Sequence, residues 1–334
     1  MKRIRVVQVG LGAMGQMMVS IIRERPILEL VGAFDIDPNK VGHDVGEVCG
    51  GKTADVQVQS PAEDLLRATH ADVALHATGS FLHDVHHELR TLVHAGLRTV
   101  STCEELSWPY QRHAQLAAEL DSLAKAKGVP LLGSGVNPGF VMDLLPLILT
   151  GVCREVRHVS VLRRMDADAK RLGFQKKIGA TMTTAQFQAA VATGRFGHIG
   201  LPESAWILSD ALGWKEAEIA EKLEPVVVDR PFNGRLLKVE AGQVAGLRQE
   251  CIVRSNGQAV VELRFEAFLG ADDPRDEVRI QGTPDVHMRI NNGVPGDVAT
   301  AAVMVNAIPV MMLARPGLLT VKDMVSLHST RRFA

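Results

Sequence analysis

Three groups of residues in this 334-residue sequence have the types and spacing that chemistry requires. The first is Gly10-Leu11-Gly12-Ala13-Met14-Gly15, a GxGxxG that follows a short apolar run and opens a helical pattern. There Gly10 permits a tight turn, Gly12 lets the backbone approach a pyrophosphate, and Gly15 lets the helix close on the sheet. Gly12, Ala13 and Met14 stand at a helix N-terminus, whose unpaired N–H groups and dipole favour phosphates. Asp35 ends the next apolar run, 20 residues past Gly15, where a carboxylate can accept hydrogen bonds from ribose hydroxyls. It also repels a 2′-phosphate, which points to NAD; Lys40 is the nearest cation and would admit NADP. The implied cofactor is NAD or NADP.

The second group sits where apolar runs end, since open parallel sheets bind ligands beyond the C-terminal ends of their strands. Thr78-Gly79-Ser80 follows one run and suits a nicotinamide ribose. Asn137-Pro138-Gly139-Phe140 follows another, with Asn137 assigned to the cofactor and Phe140 to an apolar substrate wall. Cys103-Glu104-Glu105 follows a third. A carboxylate partly desolvated beside the reacting atoms handles a proton or holds an ammonium ion, and Glu104 is the candidate catalytic residue. From position alone Glu104 reads equally as a turn cap, and Glu105 is not separable from it. Cys103 is either a thioester-forming nucleophile or a buried inert thiol; no histidine is adjacent to it, which favours the thiol.

The third group lies further on. Arg163 to Lys177 holds six cations (Arg163, Arg164, Lys170, Arg171, Lys176, Lys177) and two anions, Asp166 and Asp168. Arg171 for a carboxylate and Asp166 or Asp168 for an amine would suit a zwitterionic substrate. The alternative is a charged surface loop, with Phe140 and Met165 lining an apolar pocket. His198, flanked by Gly197 and Gly200, is a pocket histidine or a structural one. His83, His86 and His87 share a helix face but form no HExxH; a solvated face is the better reading, and no metal site is expected.

These residues need elements to position them. Ile4–Val9, Leu28–Phe34, Ala71–Ala77, Thr99–Thr102 and Val129–Leu132 read as strands, and Ala13–Arg25, Phe81–Ala95 and Gln111–Lys127 as helices. That alternation is α/β: a Rossmann-type doubly wound parallel sheet. After about residue 140 the grammar changes. Val156–Leu162, Ala245–Arg254, Ala259–Phe268 and Val286–Ile290 read as strands, with an Asn256-Gly257 hairpin, and Thr183–Thr193 and Glu203–Leu223 as helices. An α+β second domain with a largely antiparallel sheet follows. Val298–Leu313 reads as an apolar helix returning to the first domain. The expected division is 1–137 with 296–334 for the dinucleotide, and 138–295 for substrate and dimerisation.

Composition narrows the function classes. Lys plus Arg is 37 and Asp plus Glu is 38, a net charge of −1, and aromatics are 4%. Neither a nucleic-acid partner nor a polybasic membrane module fits. No apolar run reaches the roughly 18–20 residues that span a bilayer. The four cysteines, Cys49, Cys103, Cys153 and Cys251, are too sparse for a disulfide framework, and no signal peptide fits the N-terminus. The expected location is cytoplasmic.

Several segments together resemble the 2,4-diaminopentanoate dehydrogenases, a family that includes the native amine dehydrogenases and is similar in fold to dihydrodipicolinate reductase. They are Val6 to Gly15, Val100-Ser101-Thr102-Cys103-Glu104-Glu105-Leu106, Gly135 to Asp143, Gln175 to Gly179, Gly197 to Leu201, Asn306 to Pro309 and Arg315 to Thr320. The resemblance runs over nearly the whole chain. It implies an NAD(P)-dependent interconversion of a primary amine with a ketone plus ammonia, with Glu104 holding the amine or ammonia, and a homodimer joined through the second domains. The paired-histidine and lysine signature of dihydrodipicolinate reductase is not found. The rival readings are another reductase or dehydrogenase on this frame, including one using Cys103, and a regulator that senses NAD(H) without turnover.

Overall fold

The computed structural model describes residues 3–60, 63–214 and 217–324. The chain forms two compact units, one of residues up to Phe140 with Pro295–Met324, the other Val141–Val294. Residues 325–334, the tail of the expected first domain, lie outside the described residues.

The first unit begins with strand β1 (Ile4–Val9), helix α1 (Ala13–Glu24) and strand β2 (Leu28–Phe34). Val6, Val7, Ala33 and Phe34 are wholly buried, as both faces of a parallel sheet require. Pro26 lies just beyond α1, since proline cannot continue a helix. Next come α2 (Val45–Val48), β3 (Val58–Gln59), α3 (Glu63–Ala68), β4 (Val73–His76) and α4 (Leu82–His94). Helix α4 buries Leu82, Val85, Leu89, Leu92 and Val93, a single stripe at helical spacing. Strand β5 (Arg98–Ser101), α5 (Ala114–Lys127) and β6 (Pro130–Gly133) complete this stretch; Gly128, at φ +70°, ends α5.

The second unit holds α6 (Leu144–Thr150), β7 (Glu155–Asp166), α7 (Leu172–Lys177), α8 (Thr184–Ala192), α9 (Leu201–Ala211) and β8 (Glu218–Val227). It continues with the short pair β9 (Phe232–Asn233) and β10 (Lys238–Val239), then β11 (Val244–Ser255), β12 (Gln258–Phe268), β13 (Arg275–Thr283) and β14 (Val286–Asn291). The chain then re-enters the first unit as α10 (Gly296–Met311), packed on α1, and β15 (Gly317–Leu319).

The first unit is a seven-stranded parallel sheet in the order β15-β6-β5-β4-β1-β2-β3. The order reverses direction at β1, so the β1–α1 turn and the ends of β4 and β5 flank the switch point where such sheets bind ligands. The second unit is a six-stranded mixed sheet, β14-β13-β7-β12-β11-β8, antiparallel except for β7 with β12. Asn256 and Gly257 both have positive φ in the β11–β12 turn, the conformation that Asn-Gly favours. This is the expected fold class.

One element is corrected. The helix expected over Glu203–Leu223 stops at Ala211, and Gly213 turns the chain with φ +75°. Glu218–Val227 is instead the edge strand β8, paired antiparallel with β11. Ile219 and Leu223 stand four apart, which reads as a helical stripe until the pairing partner is known. Strand β13 was not anticipated at all.

Candidate active site

The glycine loop gives its three glycines three different reasons. Gly10 has φ +82°, and a Cβ there would lie 2.4 Å from the Ala77 carbonyl oxygen. At Gly15 a Cβ would lie 1.9 Å from the Gly10 oxygen, so only glycine lets the helix sit this close to the turn. A Cβ at Gly12 would meet nothing within 4 Å. Gly12 and Ala13 are exposed, Met14 is half-buried, and no side chain caps α1. The loop is therefore open at the point where a phosphate would need to approach amide groups, and these residues fit a dinucleotide.

Asp35 serves the loop directly. Its Oδ2 accepts from the Leu11 amide at 2.7 Å and from Lys40 Nζ at 3.1 Å, and its Oδ1 accepts from the Asp37 amide at 2.9 Å. Burial opposes ionisation here, but these donors outweigh it and hold the carboxyl below its ordinary range. Lys40 also lies 3.5 Å from Asp37. The cation noted in the sequence is thus already paired with the carboxylate it was set against.

The loops after β4 and β5 are stitched into one platform. Thr102 donates its amide to the His76 carbonyl at 2.9 Å, and the Glu105 amide donates to the Ser80 carbonyl at 3.3 Å. The Cys103 thiol donates to the same Ser80 oxygen at 3.3 Å. Cys103 is wholly buried, and burial pushes its thiol above the ordinary pKa, the environment of a packing group. Glu104 opens a 3-10 turn, Glu104–Ser107, with its side chain half-buried. Its neighbour is different. The Glu105 carboxylate is buried and accepts from the Leu82 amide at 2.7 Å, at the start of α4, and pairs with His113 Nε2 at 2.8 Å. Sequence reasoning could not separate these two glutamates; in the fold Glu105 is the one tied to Leu82 and His113. Thr78 is exposed on the same platform, with Gly79 and Ser80 half-buried beside it. Asn137 and Phe140 are half-buried in the loop after β6, where the Thr300 hydroxyl of α10 accepts from the Val136 amide at 3.2 Å.

In the second unit the sequence-derived candidates part company. Asp166 Oδ1 accepts from the Asp168 and Gly270 amides, both at 3.0 Å. Asp168 Oδ1 accepts from the Arg235 amide at 2.7 Å. Both aspartates fasten loops. Arg171 is the exposed N-cap residue of α7. Met165 and His198 fall elsewhere. Strand register aligns Asp276, Arg163, Phe265, Gln249 and Leu223 in one row across β13, β7, β12, β11 and β8. His198 stacks on Phe265 with ring centroids 4.4 Å apart, and Gln249 clamps its backbone, accepting from the His198 amide and donating to its carbonyl, each at 2.9 Å. Met165 lies two residues along β7 from Arg163, hence on the same face.

Arg163, one of the six cations read either as substrate-binding or as a charged surface loop, is 2% exposed. Its guanidinium pairs with Asp276 at 3.3 Å and donates to the Val294 carbonyl at 2.8 Å. His198 Nε2 and Asp276 Oδ1 are buried without a hydrogen-bond partner. Burial first, then the positive charges of Lys177 and Arg163, lower the His198 pKa to about 3, so the ring is neutral. Two buried orphan polar atoms thus lie on one sheet face, and each calls for a partner beyond the side chains around it. His83 and His87 are exposed, and among the described residues no three His, Cys, Asp or Glu side chains are grouped to hold a metal ion.

Residues 140–331 match the 2,4-diaminopentanoate dehydrogenase C-terminal domain, and residues 4–103 the N-terminal domain of dihydrodipicolinate reductase. The chain is 33% identical to the 2,4-diaminopentanoate dehydrogenase of Acetoanaerobium sticklandii, over 97% of this chain and 94% of that protein. It is 24% identical to an amine dehydrogenase of Streptomyces virginiae, over 94% of each. The structure of the amine dehydrogenase from Mycobacterium smegmatis superimposes with a TM-score of 0.84 at 26% identity, covering 98% of this chain and 97% of that one.

Proposed function

Because the chain belongs to the 2,4-diaminopentanoate dehydrogenase family, we propose that it catalyses NAD(P)-dependent oxidative deamination of a primary amine, and the reverse reductive amination. The overall change is amine plus NAD(P)+ plus water to ketone, ammonia, NAD(P)H and a proton. The observation that carries this reading is Glu104: a half-buried carboxylate at a strand end, on a turn pinned to the neighbouring loop.

Each residue then has a task. Gly12, Ala13 and Met14 offer amides to the pyrophosphate, and Asp35 offers its carboxylate to the ribose. Bound there, the nicotinamide supplies the hydride acceptor. Thr78, Gly79, Ser80 and Asn137 flank that end of the cofactor, and Phe140 excludes water beside it. Glu104 takes the proton from the substrate ammonium so that the carbon bearing a neutral amine can give up hydride. In the reverse direction the same carboxylate holds ammonia against the carbonyl. Glu105 is spent on Leu82 and His113 and has no part in the proton chemistry.

Met165 and His198 are retained as substrate-facing residues. Asp166 and Asp168, engaged by the Gly270 and Arg235 amides, are assigned to loop structure; Arg171, exposed at the start of α7, is kept as the cation for a substrate carboxylate. The substrate class we propose is a 2,4-diaminopentanoate-like diamino acid or a simple alkyl amine, after the names of its relatives. We infer further a cytoplasmic homodimer joined through the second unit. Its support is four cysteines that form no disulfide and an open sheet face carrying Arg164, Lys222, Arg248 and Arg264 interleaved with Glu224, Glu250 and Glu266. No described helix is long and apolar enough to cross a membrane.

The test supplies the purified chain with NAD or NADP and 2,4-diaminopentanoate, following nicotinamide reduction and ammonia together, and repeats it with simple primary amines. Matching yields of NAD(P)H and ammonia are expected, with Glu104→Ala slower by about 10²–10⁴-fold. Glu105→Ala is expected to lower Tm more than Glu104→Ala does. Normal turnover in Glu104→Ala with loss in Glu105→Ala would show that the wrong neighbour was chosen, and no reduction with any amine despite NADH binding would defeat the amine reading.

A further inference from the structure

A histidine the sequence reading passed over, His76, is wholly buried at the end of β4, and both its ring nitrogens are engaged. Nδ1 lies 2.8 Å from Ser101 Oγ, and Nε2 lies 2.8 Å from Glu88 Oε2 and 2.8 Å from Thr78 Oγ1. Ser101 Oγ also accepts from the Cys103 amide at 3.0 Å. The Thr78 hydroxyl donates to Glu88 Oε2 at 2.5 Å.

Donor and acceptor counting orients the whole chain. An ionised Glu88 only accepts. The Thr78 proton therefore points at Glu88, and His76 Nε2 carries a proton that points there too. Hydrogen bonds from His76 and Thr78 outweigh burial and hold the Glu88 carboxyl below its ordinary range. At the other end Ser101 Oγ receives the Cys103 N–H. Its own proton is satisfied within the chain if Nδ1 is a bare lone pair. The neutral Nε2–H tautomer closes every bond: Cys103 N–H to Ser101, Ser101 O–H to His76, His76 N–H to Glu88, Thr78 O–H to Glu88. An imidazolium would aim two donors, Nδ1–H and Cys103 N–H, at Ser101 Oγ and leave the serine proton without its acceptor in the chain.

One end of this chain is the amide immediately before Glu104. The other is Thr78, in the loop that follows β4. We propose that His76, anchored by Glu88 as the neutral Nε2–H tautomer, is a positioning residue that sets the Glu104 turn through Ser101. This rests on the reading of Glu104 given above. His76 touches no reacting atom; it acts through Ser101 on the backbone that carries the carboxylate. The Ser101 arm reaches Glu104, and the Glu88 arm anchors the ring.

Two conservative variants cut the arms separately. The Oδ1 of asparagine replaces Nδ1 as acceptor, so His76→Asn keeps the Ser101 arm. The amide of glutamine reaches the Nε2 position, so His76→Gln keeps the Glu88 arm and loses Ser101. Expected is a fall in kcat of about 10- to 100-fold for His76→Gln and for Ser101→Ala, as for a reacting group displaced by about 1 Å. His76→Asn should retain most of the wild-type kcat. NADH affinity, read by fluorescence titration, should be unchanged in all three. In a Glu104→Ala background Ser101→Ala should cost nothing more, because the two changes remove one function. Nitrogen NMR of labelled His76 should show the neutral Nε2–H form at neutral pH. Should His76→Gln fail to fold, Ser101→Ala carries the test alone.

Equal losses in the Asn and Gln variants would overturn the proposal. So would an undiminished kcat in Ser101→Ala, a loss expressed in NADH affinity instead of kcat, full multiplication of the losses in the Glu104→Ala background, or an imidazolium signature. Failure of the underlying reading looks different: Glu104→Ala itself would then keep its turnover.

Discussion

Alanine at Gly12 and alanine at Gly15 change the sequence by the same methyl group three residues apart, and the structure requires opposite outcomes. At Gly12 the backbone has φ −66° and ψ −176°, which alanine adopts freely, and the new methyl meets nothing within 4 Å. The unfolded chain loses freedom, worth about 0.4–1 kcal/mol of stability. Alanine is a poorer N-cap than glycine by a similar amount, so the two nearly cancel and Tm should hold. Cofactor binding should not. A methyl placed where a phosphate approaches the amides forfeits at least one charge-assisted hydrogen bond, about 1.5–3 kcal/mol, or about 10- to 150-fold in Kd. At Gly15 the methyl would lie 1.9 Å from the Gly10 carbonyl oxygen, where real contacts stay above 3.0 Å, and both partners are backbone. Helix and turn must separate by about 1 Å, at a cost of about 3 kcal/mol and a Tm lower by about 6–12 °C. Thermal unfolding and NADH fluorescence titration on both variants read the two effects independently. Wild-type NADH affinity in Gly12→Ala would refute the placement of the pyrophosphate, and wild-type Tm in Gly15→Ala would refute the packing account.

Two further expectations concern charge. Asp35→Ser removes the carboxylate we assign to the ribose and leaves Lys40 beside Asp37, so the NADP-to-NAD ratio of kcat/KM should rise; an unchanged ratio would count against Asp35 as the selector. For His198 the sign follows from its folded pKa of about 3 against an ordinary value of 6.5. Above pH 6.5 the ring is neutral folded and unfolded, and it contributes no pH dependence. Between 6.5 and 3 the unfolded state binds the proton and the folded state does not. Stability therefore falls with acidification by up to about 1.4 kcal/mol per pH unit. His198→Phe should flatten that slope between pH 6 and about 4.5, above the range in which Glu277, held near 2 from an ordinary 4.5 chiefly against burial and by Arg275, Arg279 and His287, begins to contribute. Urea unfolding across this range would expose a slope unchanged by the substitution.

What could be read in the sequence was whatever depends on neighbours along the chain. The edges of β1 and β2, the start of α1 at Ala13 and the Asn256-Gly257 turn follow from apolar runs, glycines and proline, and all stand where expected. The glycine loop was legible for the same reason, as a short motif at the end of a strand; Glu104 was a candidate by its strand-end position but not separable there from Glu105. Strand β13 was not legible because its sequence, RDEVRIQGT, is mostly charged or polar. It is a strand because β7 and β14 pair with it, and its Asp276 is buried because Arg163 lies opposite. β8 was missed for the same reason, its helix-like spacing being overruled by β11. Glu105 and His76 show the limit at the site itself. Their residue types were visible, but the partners that separate a buried cap from a proton-handling group lie 23 and 25 positions away.

The row Asp276–Arg163–Phe265–Gln249 also bears on how this protein could be redesigned. Its members come from four strands, and the histidine stacked on Phe265 from a loop, so no single segment carries the substrate face we propose. A library that randomises one loop leaves the row intact and searches only its margin. Grafting specificity from a relative requires moving five separate pieces of chain while keeping every strand in register. A one-residue slip in β12 would turn Phe265 to the other face and bring Glu266 into its place.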